Sequence, residues 1–240
     1  MYGRKESKST ILVSFSGIDG AGKSTQIQAL YTSLRERRLD VIVLTFWDNV
    51  AAFRAIREAA VHTLLGSEKG VGTSSAPVNR RDKNVRSWPL TLVRLCMYFV
   101  DAIVLCIVAN EAMHLDADVV IFDRYIYDEL ANLNLQSKFM QAYVKLIMKL
   151  APKPHISFLL DADPAQARAR KPEYPLEFLQ THRLSYLTLN EIAGTMTIIY
   201  PTSIGAVEED VLSHAMGALT IARSANPQQN GSSYTHSAAS

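Results

Sequence analysis

The chain of 240 residues lacks any pronounced excess of charge: 25 Lys and Arg stand against 23 Asp and Glu, a net charge of +2. So little excess leaves no polyelectrolyte footprint, and nucleic-acid binding is disfavoured as the main job. Cysteine is scarce, with Cys96 and Cys106 alone. Both fall in one predicted helix, where ten residues separate them by about 15 Å, too far for a disulfide. They read as buried thiols of a reducing compartment. The polar opening Met1–Thr10 has no apolar core and does not read as a secretory signal. The most apolar region, Leu90–Leu115, is interrupted by Arg94, Asp101 and Glu111, which argues against a membrane span. A cytoplasmic chain with no nucleic-acid or membrane partner is expected. There is no internal repeat, and the length suits one large α/β domain able to bury a sizeable core.

What is present is concentrated near the start. Residues 17–25 read Gly17-Ile18-Asp19-Gly20-Ala21-Gly22-Lys23-Ser24-Thr25, directly after the apolar run Ile11–Phe15. This is G-x-x-x-x-G-K-[ST] between a strand and a helix, the setting in which such a turn cradles a triphosphate. Gly17, Gly20 and Gly22 let successive N–H groups turn inward toward phosphate oxygens. The helix starting near Lys23 adds its free N–H groups and the positive end of its dipole. Lys23 can reach the β- and γ-phosphates and the Ser24 hydroxyl can ligate Mg²⁺, so ATP and Mg²⁺ are the expected cofactors. The competing reading, a Gly-rich strand-to-helix turn, leaves the Lys-Ser pair unexplained.

The rest of the chain alternates strand and helix. Helix 23–38 leads to an unbroken β-branched strand, Val41–Phe46, which suggests a strand covered on both faces. Trp47-Asp48-Asn49 follow at the sheet edge where α/β folds bind ligands. A helix over 51–65 carries Arg54 and Arg57. A long aperiodic stretch, 66–87, holds the basic block Arg80, Arg81, Lys83 and Arg86; such a loop is either functional or a solvated charged insertion. The long helix 90–115 is apolar on most faces and reads as packed against the sheet or a second subunit. Strand Val119–Phe122, helix 137–150, strand Ile156–Leu160, a helix capped by Asp163 and Pro164, helix 176–192, strand Met196–Tyr200 and helix 208–223 complete the pattern. Five parallel strands wrapped by helices on both faces, one doubly wound α/β domain over 11–223, are therefore expected. Residues 1–10 read as a flexible N-terminus and 224–240 as a disordered tail.

Further candidates follow from where strands end. Asp123 closes an apolar strand, a place for a carboxylate facing Mg²⁺ or an acceptor phosphate; otherwise it caps the next segment. Arg124 offers a planar fork for phosphate oxygens. Asp19 would be repelled by a triphosphate, so it should point away, toward a hydroxyl of a second substrate. The cluster Arg168, Arg170 and Lys171, broken by Pro172 and Pro175, has the make-up of a mobile lid whose arginines stabilise a migrating phosphoryl. The alternative is a basic helix end complementing its own dipole.

These residues carry a resemblance. Ser16–Gln26, with its acidic residue inside the loop, resembles the phosphate loop of thymidylate kinases. Asp123-Arg124-Tyr125 is similar to that family's Asp-Arg-Tyr/His motif, and Leu160-Asp161-Ala162-Asp163-Pro164 with Arg170 to its strand-four and lid signature. The resemblance spans about residues 11–220. It implies a P-loop nucleoside-monophosphate kinase fold with strand order 2-3-1-4-5, and transfer of the ATP γ-phosphoryl to dTMP with Mg²⁺. It implies catalytic roles for Lys23, Asp123, Arg124, Arg168 and Arg170. Nucleotide contacts from Gly17, Asp19, Gly20, Ala21, Gly22, Lys23, Ser24 and Thr25 and metal ligation by Ser24 and Asp123 are implied as well. Gly20 in place of a loop arginine resembles the subtype whose catalytic arginine comes from the lid. With the apolar helix, the resemblance also suggests a homodimer.

Two departures fall on the acceptor side. Where the family has Arg-Glu-Pro-Gly after strand two, this chain has Phe46-Trp47-Asp48-Asn49; where it has Ala-Asp-Arg in the long helix, this chain has Val100-Asp101-Ala102. Acceptor contacts are therefore sought at Asp19, Trp47, Arg54, Arg80, Arg81, Arg86 and Tyr125. The acceptor is a nucleotide or another small phosphate acceptor: a different nucleotide, a nucleoside or a phosphorylated sugar. From outside enzymes, an ATP-binding switch that transfers nothing is the other reading.

Overall fold

The computed structural model describes residues 9–49 and 88–225. Five strands, β1 (Ile11–Ser16), β2 (Val41–Thr45), β3 (Val119–Asp123), β4 (Ile156–Leu160) and β5 (Thr197–Ile199), form one parallel sheet in the order β2-β3-β1-β4-β5. Around it lie α1 (Lys23–Glu36), α2 (Phe46–Asn49), α3 (Trp88–Met113), α4 (Ile126–Leu130), α5 (Lys138–Leu150), α6 (Pro164–Arg170), α7 (Leu176–Ala193) and α8 (Ile204–Ser224). The α/β class and strand order 2-3-1-4-5 are as expected.

Strand periodicity of two sorts the core onto two faces. Ile11, Val13 and Phe15 of β1, Val119 and Ile121 of β3, and Phe158 and Leu160 of β4 meet Ile27, Leu30 and Leu34 of α1 and Val211, Ala215 and Leu219 of α8. The alternate positions Leu12, Val120, Phe122 and Leu159 meet α3, α5 and α7. In register, Phe15 lies beside Asp123 and Phe158, so the ends of β1, β3 and β4 share one edge. Every chemically interesting residue found below stands there.

Several local expectations change. β2 lies at the edge of the sheet among the described residues, as the expected order has it, but its two faces are only partly covered: Val41 packs on one core face and Ile42 and Leu44 on the other, while Val43 is exposed. Phe46 leaves the strand and enters α2, its ring fully buried and edge-on to Trp47. The thiols are not both buried: Cys96 is exposed, and half-buried Cys106 donates from Sγ to the Leu150 carbonyl at 3.1 Å. Thr10 is no flexible terminus, since its hydroxyl is buried against the Ala117 carbonyl at 2.7 Å. α8 begins earlier than expected because Ser203 caps it, accepting from the Ala206 N–H at 3.3 Å. The helix expected over 51–65, the loop 66–87 with Arg80, Arg81 and Arg86, residues 1–8 and residues 226–240 lie outside the described residues.

α3 carries two apolar faces. Leu95, Tyr98, Ala102, Leu105, Ala109 and Ala112 recur at three- and four-residue steps and pack into the core. Leu92, Phe99, Ile103 and Ile107, at similar steps on the other side, are exposed. By length and composition Thr91–Met113 could cross a bilayer, and 33% of its most apolar window is buried within the chain. Core helices and membrane helices both meet that measure, so it does not distinguish them.

Candidate functional site

The phosphate-loop sequence folds as a tight left-handed turn from β1 into α1. Gly17, Gly20 and Gly22 have φ of 142°, 83° and 94°. Two of these glycines are also required by close packing. A Cβ on Gly17 would stand 2.6 Å from the Leu160 carbonyl oxygen, and one on Gly20 would stand 2.3 Å from that of Ala167 in α6. The loop is thus pressed against β4 on one side and α6 on the other, and no arginine fits at position 20. Within the turn Ala21 N–H donates to the Ile18 carbonyl at 3.2 Å. The N–H groups of Gly20, Gly22, Lys23 and Ser24 make no backbone hydrogen bond among the described residues, as the first turn of a helix dictates.

Lys23 is buried, its Nζ donating to the carbonyls of Gly17 and Ile18 at 2.8 Å each. Burial pulls its pKa down to about 8, and the nearby Arg124 guanidinium adds to this, against the carboxylates of Asp19, Asp128 and Asp123. Ser24 and Thr25 are exposed at the mouth of the turn.

Asp123 and Arg124 leave β3 beside the loop. Burial lifts the Asp123 carboxyl above the usual carboxylate range, against the pull of Arg124 and Lys23. No described residue hydrogen-bonds that carboxylate. Arg124 adopts a left-handed backbone, φ 68°, rare for a side chain of its size. Its N–H donates to the Phe15 carbonyl at 3.0 Å. Its guanidinium is split between Asp19, through Nη2, and Asp128, through Nη1 at 3.1 Å. Burial works against its charge, yet the Asp128 and Asp19 carboxylates outweigh it and hold the pKa above the ordinary value. Asp19 therefore does not await only a substrate hydroxyl; it is the partner of Arg124.

From the far side comes α6. Asp163 caps it, accepting from the Gln166 N–H at 2.9 Å, with Pro164 at its first position as expected. Arg170 brings Nη1 to 3.9 Å from where a Gly22 Cβ would lie, so the α6 arginine reaches the phosphate loop. Arg168 is half-buried, and neither it nor Arg170 forms an ion pair with a described residue. Asp161, before α6, is held by Arg183 of α7 through two bonds of 2.6 Å.

The structure brings Gly17, Asp19, Gly20, Gly22, Lys23, Asp123, Arg124 and Arg170 to one edge. It does not bring Tyr125 to a surface: the ring is fully buried and its hydroxyl donates to the Pro152 carbonyl. Trp47 is exposed in α2, beyond the end of β2. Arg54, Arg80, Arg81 and Arg86 lie outside the described residues. Sequence reasoning missed Asp128, Tyr186 and Arg183. Asp128 offered one signal, its place three residues after Tyr125, which is the capping-box spacing.

No family model matches the chain, and no curated protein matches it either.

Proposed function

We propose that the chain is an ATP-dependent phosphotransferase of the thymidylate-kinase kind, moving the γ-phosphoryl of ATP to dTMP. The observation that carries this reading is the approach of Arg170 to the phosphate loop that also buries Lys23. A loop that only held nucleotide would gain from Lys23 and its free N–H groups, but would have little use for a second cation delivered by another helix. Transfer does need one, because charge on the migrating phosphoryl must be neutralised as the β,γ-bridging bond breaks and the acceptor oxygen bonds to phosphorus.

Within this reading Lys23 holds the β- and γ-phosphates, Arg170 and Arg168 meet the migrating group, and Arg124 faces the same anions. A phosphate acceptor is already anionic, so positioning and charge neutralisation suffice without a general base. Mg²⁺ fits the oxygen donors present: the exposed Ser24 hydroxyl and the partly buried Asp123 carboxylate, which no described residue hydrogen-bonds. Held by Ser24 and Asp123, the ion would supply positive charge to offset that of the phosphates.

A different acceptor is favoured by one specific observation: Phe46, at the position of the family's acceptor-holding arginine, is fully buried and cannot contact a phosphate. The test is ADP release from Mg-ATP across nucleoside monophosphates, nucleosides and phosphorylated sugars, with Lys23→Ala as control. Turnover with dTMP supports the full proposal. Turnover with another compound supports the reaction and replaces the acceptor. ATP binding without transfer to any of them would make the chain a nucleotide-binding switch. A folded Lys23→Ala protein that turns over normally would remove the reading altogether.

A further inference from the structure

Asp128 looks unremarkable in the sequence, an acid in the first turn of a short helix. In the structure its side chain is 2% exposed and collects donors from four places. Ser16 Oγ at the end of β1 donates at 2.6 Å and Tyr186 Oη of α7 at 2.8 Å. The Tyr125 N–H donates at 3.0 Å and Arg124 Nη1 at 3.1 Å. Capping α4 would not by itself call for a buried charge. Asn or Ser could take the Tyr125 N–H without the large desolvation cost of a buried ion. A full negative charge placed here makes sense against the one full positive charge it touches.

Arg124 needs that support. Its left-handed backbone is strained for a residue with a side chain and persists only when its surroundings over-determine it. Asp128 on one nitrogen and Asp19 on the other fix the plane of the guanidinium as well as its place. Arg124, through Asp19, and Lys23, through the Gly17 and Ile18 carbonyls, are fastened to the same turn.

Tyr186 is itself braced. Tyr174, Phe178, His182 and Tyr186 stack at four-residue steps along α7, with ring centroids 5.0, 5.3 and 4.9 Å apart. The outer ring, Tyr174, belongs to the turn that follows α6. The hydroxyl aimed at Asp128 thus hangs from a rigid ladder that ends beside the helix carrying Arg170.

We propose that Asp128, clamped by Tyr186, is a positioning residue for Arg124, holding its guanidinium against the phosphate loop for a phosphoryl group of the bound nucleotide or its acceptor. The use made of Arg124 rests on the phosphotransferase reading; its anchoring does not. Asp128→Asn keeps one acceptor oxygen and removes the charge, and Tyr186→Phe removes only the clamp, so the pair remains informative if either folds poorly. Nitrogen-15 NMR of arginine side chains, with Arg124 assigned through Arg124→Lys, reads the guanidinium directly. The expected result is a resolved, slowly rotating Arg124 guanidinium in wild type and an exchange-averaged one in both variants. Turnover should fall about tenfold or more in Asp128→Asn and a few-fold in Tyr186→Phe, with the ATP Kd within about twofold. An Arg124 signal unchanged in both variants overturns the proposal, as does a freed guanidinium with normal kcat. Should wild type transfer phosphoryl to nothing, the phosphotransferase reading falls, and the NMR arm then judges the anchoring alone: release of Arg124 upholds it and an unchanged signal overturns it.

Discussion

Two pairs of arginines stand near the same sheet edge and differ in how their charge is used. Arg124 and Arg183 are fastened to carboxylates, the first to Asp19 and Asp128, the second to Asp161 through two 2.6 Å bonds. Arg168 and Arg170, on the short α6, meet no carboxylate among the described residues; Arg170 Nε has only the Gln166 carbonyl, at 3.4 Å. A guanidinium gripped by carboxylates is fixed in place and plane and presents its remaining donors from there. One with no such partner can move to meet an incoming anion without first breaking an ion pair. The comparison therefore separates arginines held in position from arginines free to swing.

The largest expected effect tests the second pair. Arg170→Ala should lower kcat about 10³-fold while the KM for ATP moves little, because such a cation acts chiefly on the transition state. Arg168→Ala should do the same to a smaller degree. Steady-state ADP release measures both. Normal turnover in both variants would make α6 a helix end that merely complements its own dipole.

Next comes the contact that seats α6. Gly20→Ala places a Cβ 2.3 Å from the Ala167 carbonyl oxygen at a φ of 83°. It should cost about 1–3 kcal/mol of stability and carry Arg170 away from the loop, so Tm and kcat fall together. A variant with wild-type Tm and kcat would show that α6 does not need to rest on the loop.

Arg183→Ala probes the first pair. Its side chain is 36% exposed, so after allowance for solvent screening the lost pair should cost about 1–2 kcal/mol, or several degrees in Tm. The loss should appear in a thermal melt more than in ATP binding. Should ATP affinity fall tenfold with no change in Tm, Arg183 would serve the nucleotide and not the fold.

The mildest test uses pH. The Lys23 pKa lies at about 8, below its ordinary value of 10.5. On the phosphotransferase reading ATP would bind the charged form, so its affinity should weaken about tenfold between pH 7 and 9, with proton uptake on binding near pH 8.5. Calorimetry in buffers of different ionisation heat measures this. For stability the sign is opposite. Above about 8 the unfolded chain retains a proton on Lys23 that the folded chain has released, so this group makes stability rise with pH until its unfolded value is passed. An affinity flat across that range would mean Lys23 keeps its proton throughout.

Legibility in the sequence followed how local each feature is. The turn 17–25 is spelled by contiguous residues because a phosphate loop is made of backbone conformation, and glycines at 17, 20 and 22 declare where φ turns positive. Strand and helix alternation was readable for the same reason, and so was the Asp163–Pro164 cap. The half-exposure of β2 was not, since its composition matches that of a fully covered strand. Tyr125 was mistaken for an acceptor contact because a motif gives a residue's order in the chain and not the direction its side chain takes.

Backbone preference and short-range spacing were enough to specify the parallel sheet, the glycine-rich turn at 17–25 and the basic residues near α6. Which charges are paired follows only from the folded arrangement. Asp19 and Arg124 are 105 residues apart, Ser16 and Asp128 112, and Tyr186 and Asp128 58. An ion pair across such separations exists only because strands β1 and β3 lie side by side and α7 returns over their ends. No local pattern encodes that return, and it is what makes Asp128 a buried anchor, while Arg170 meets no carboxylate among the described residues.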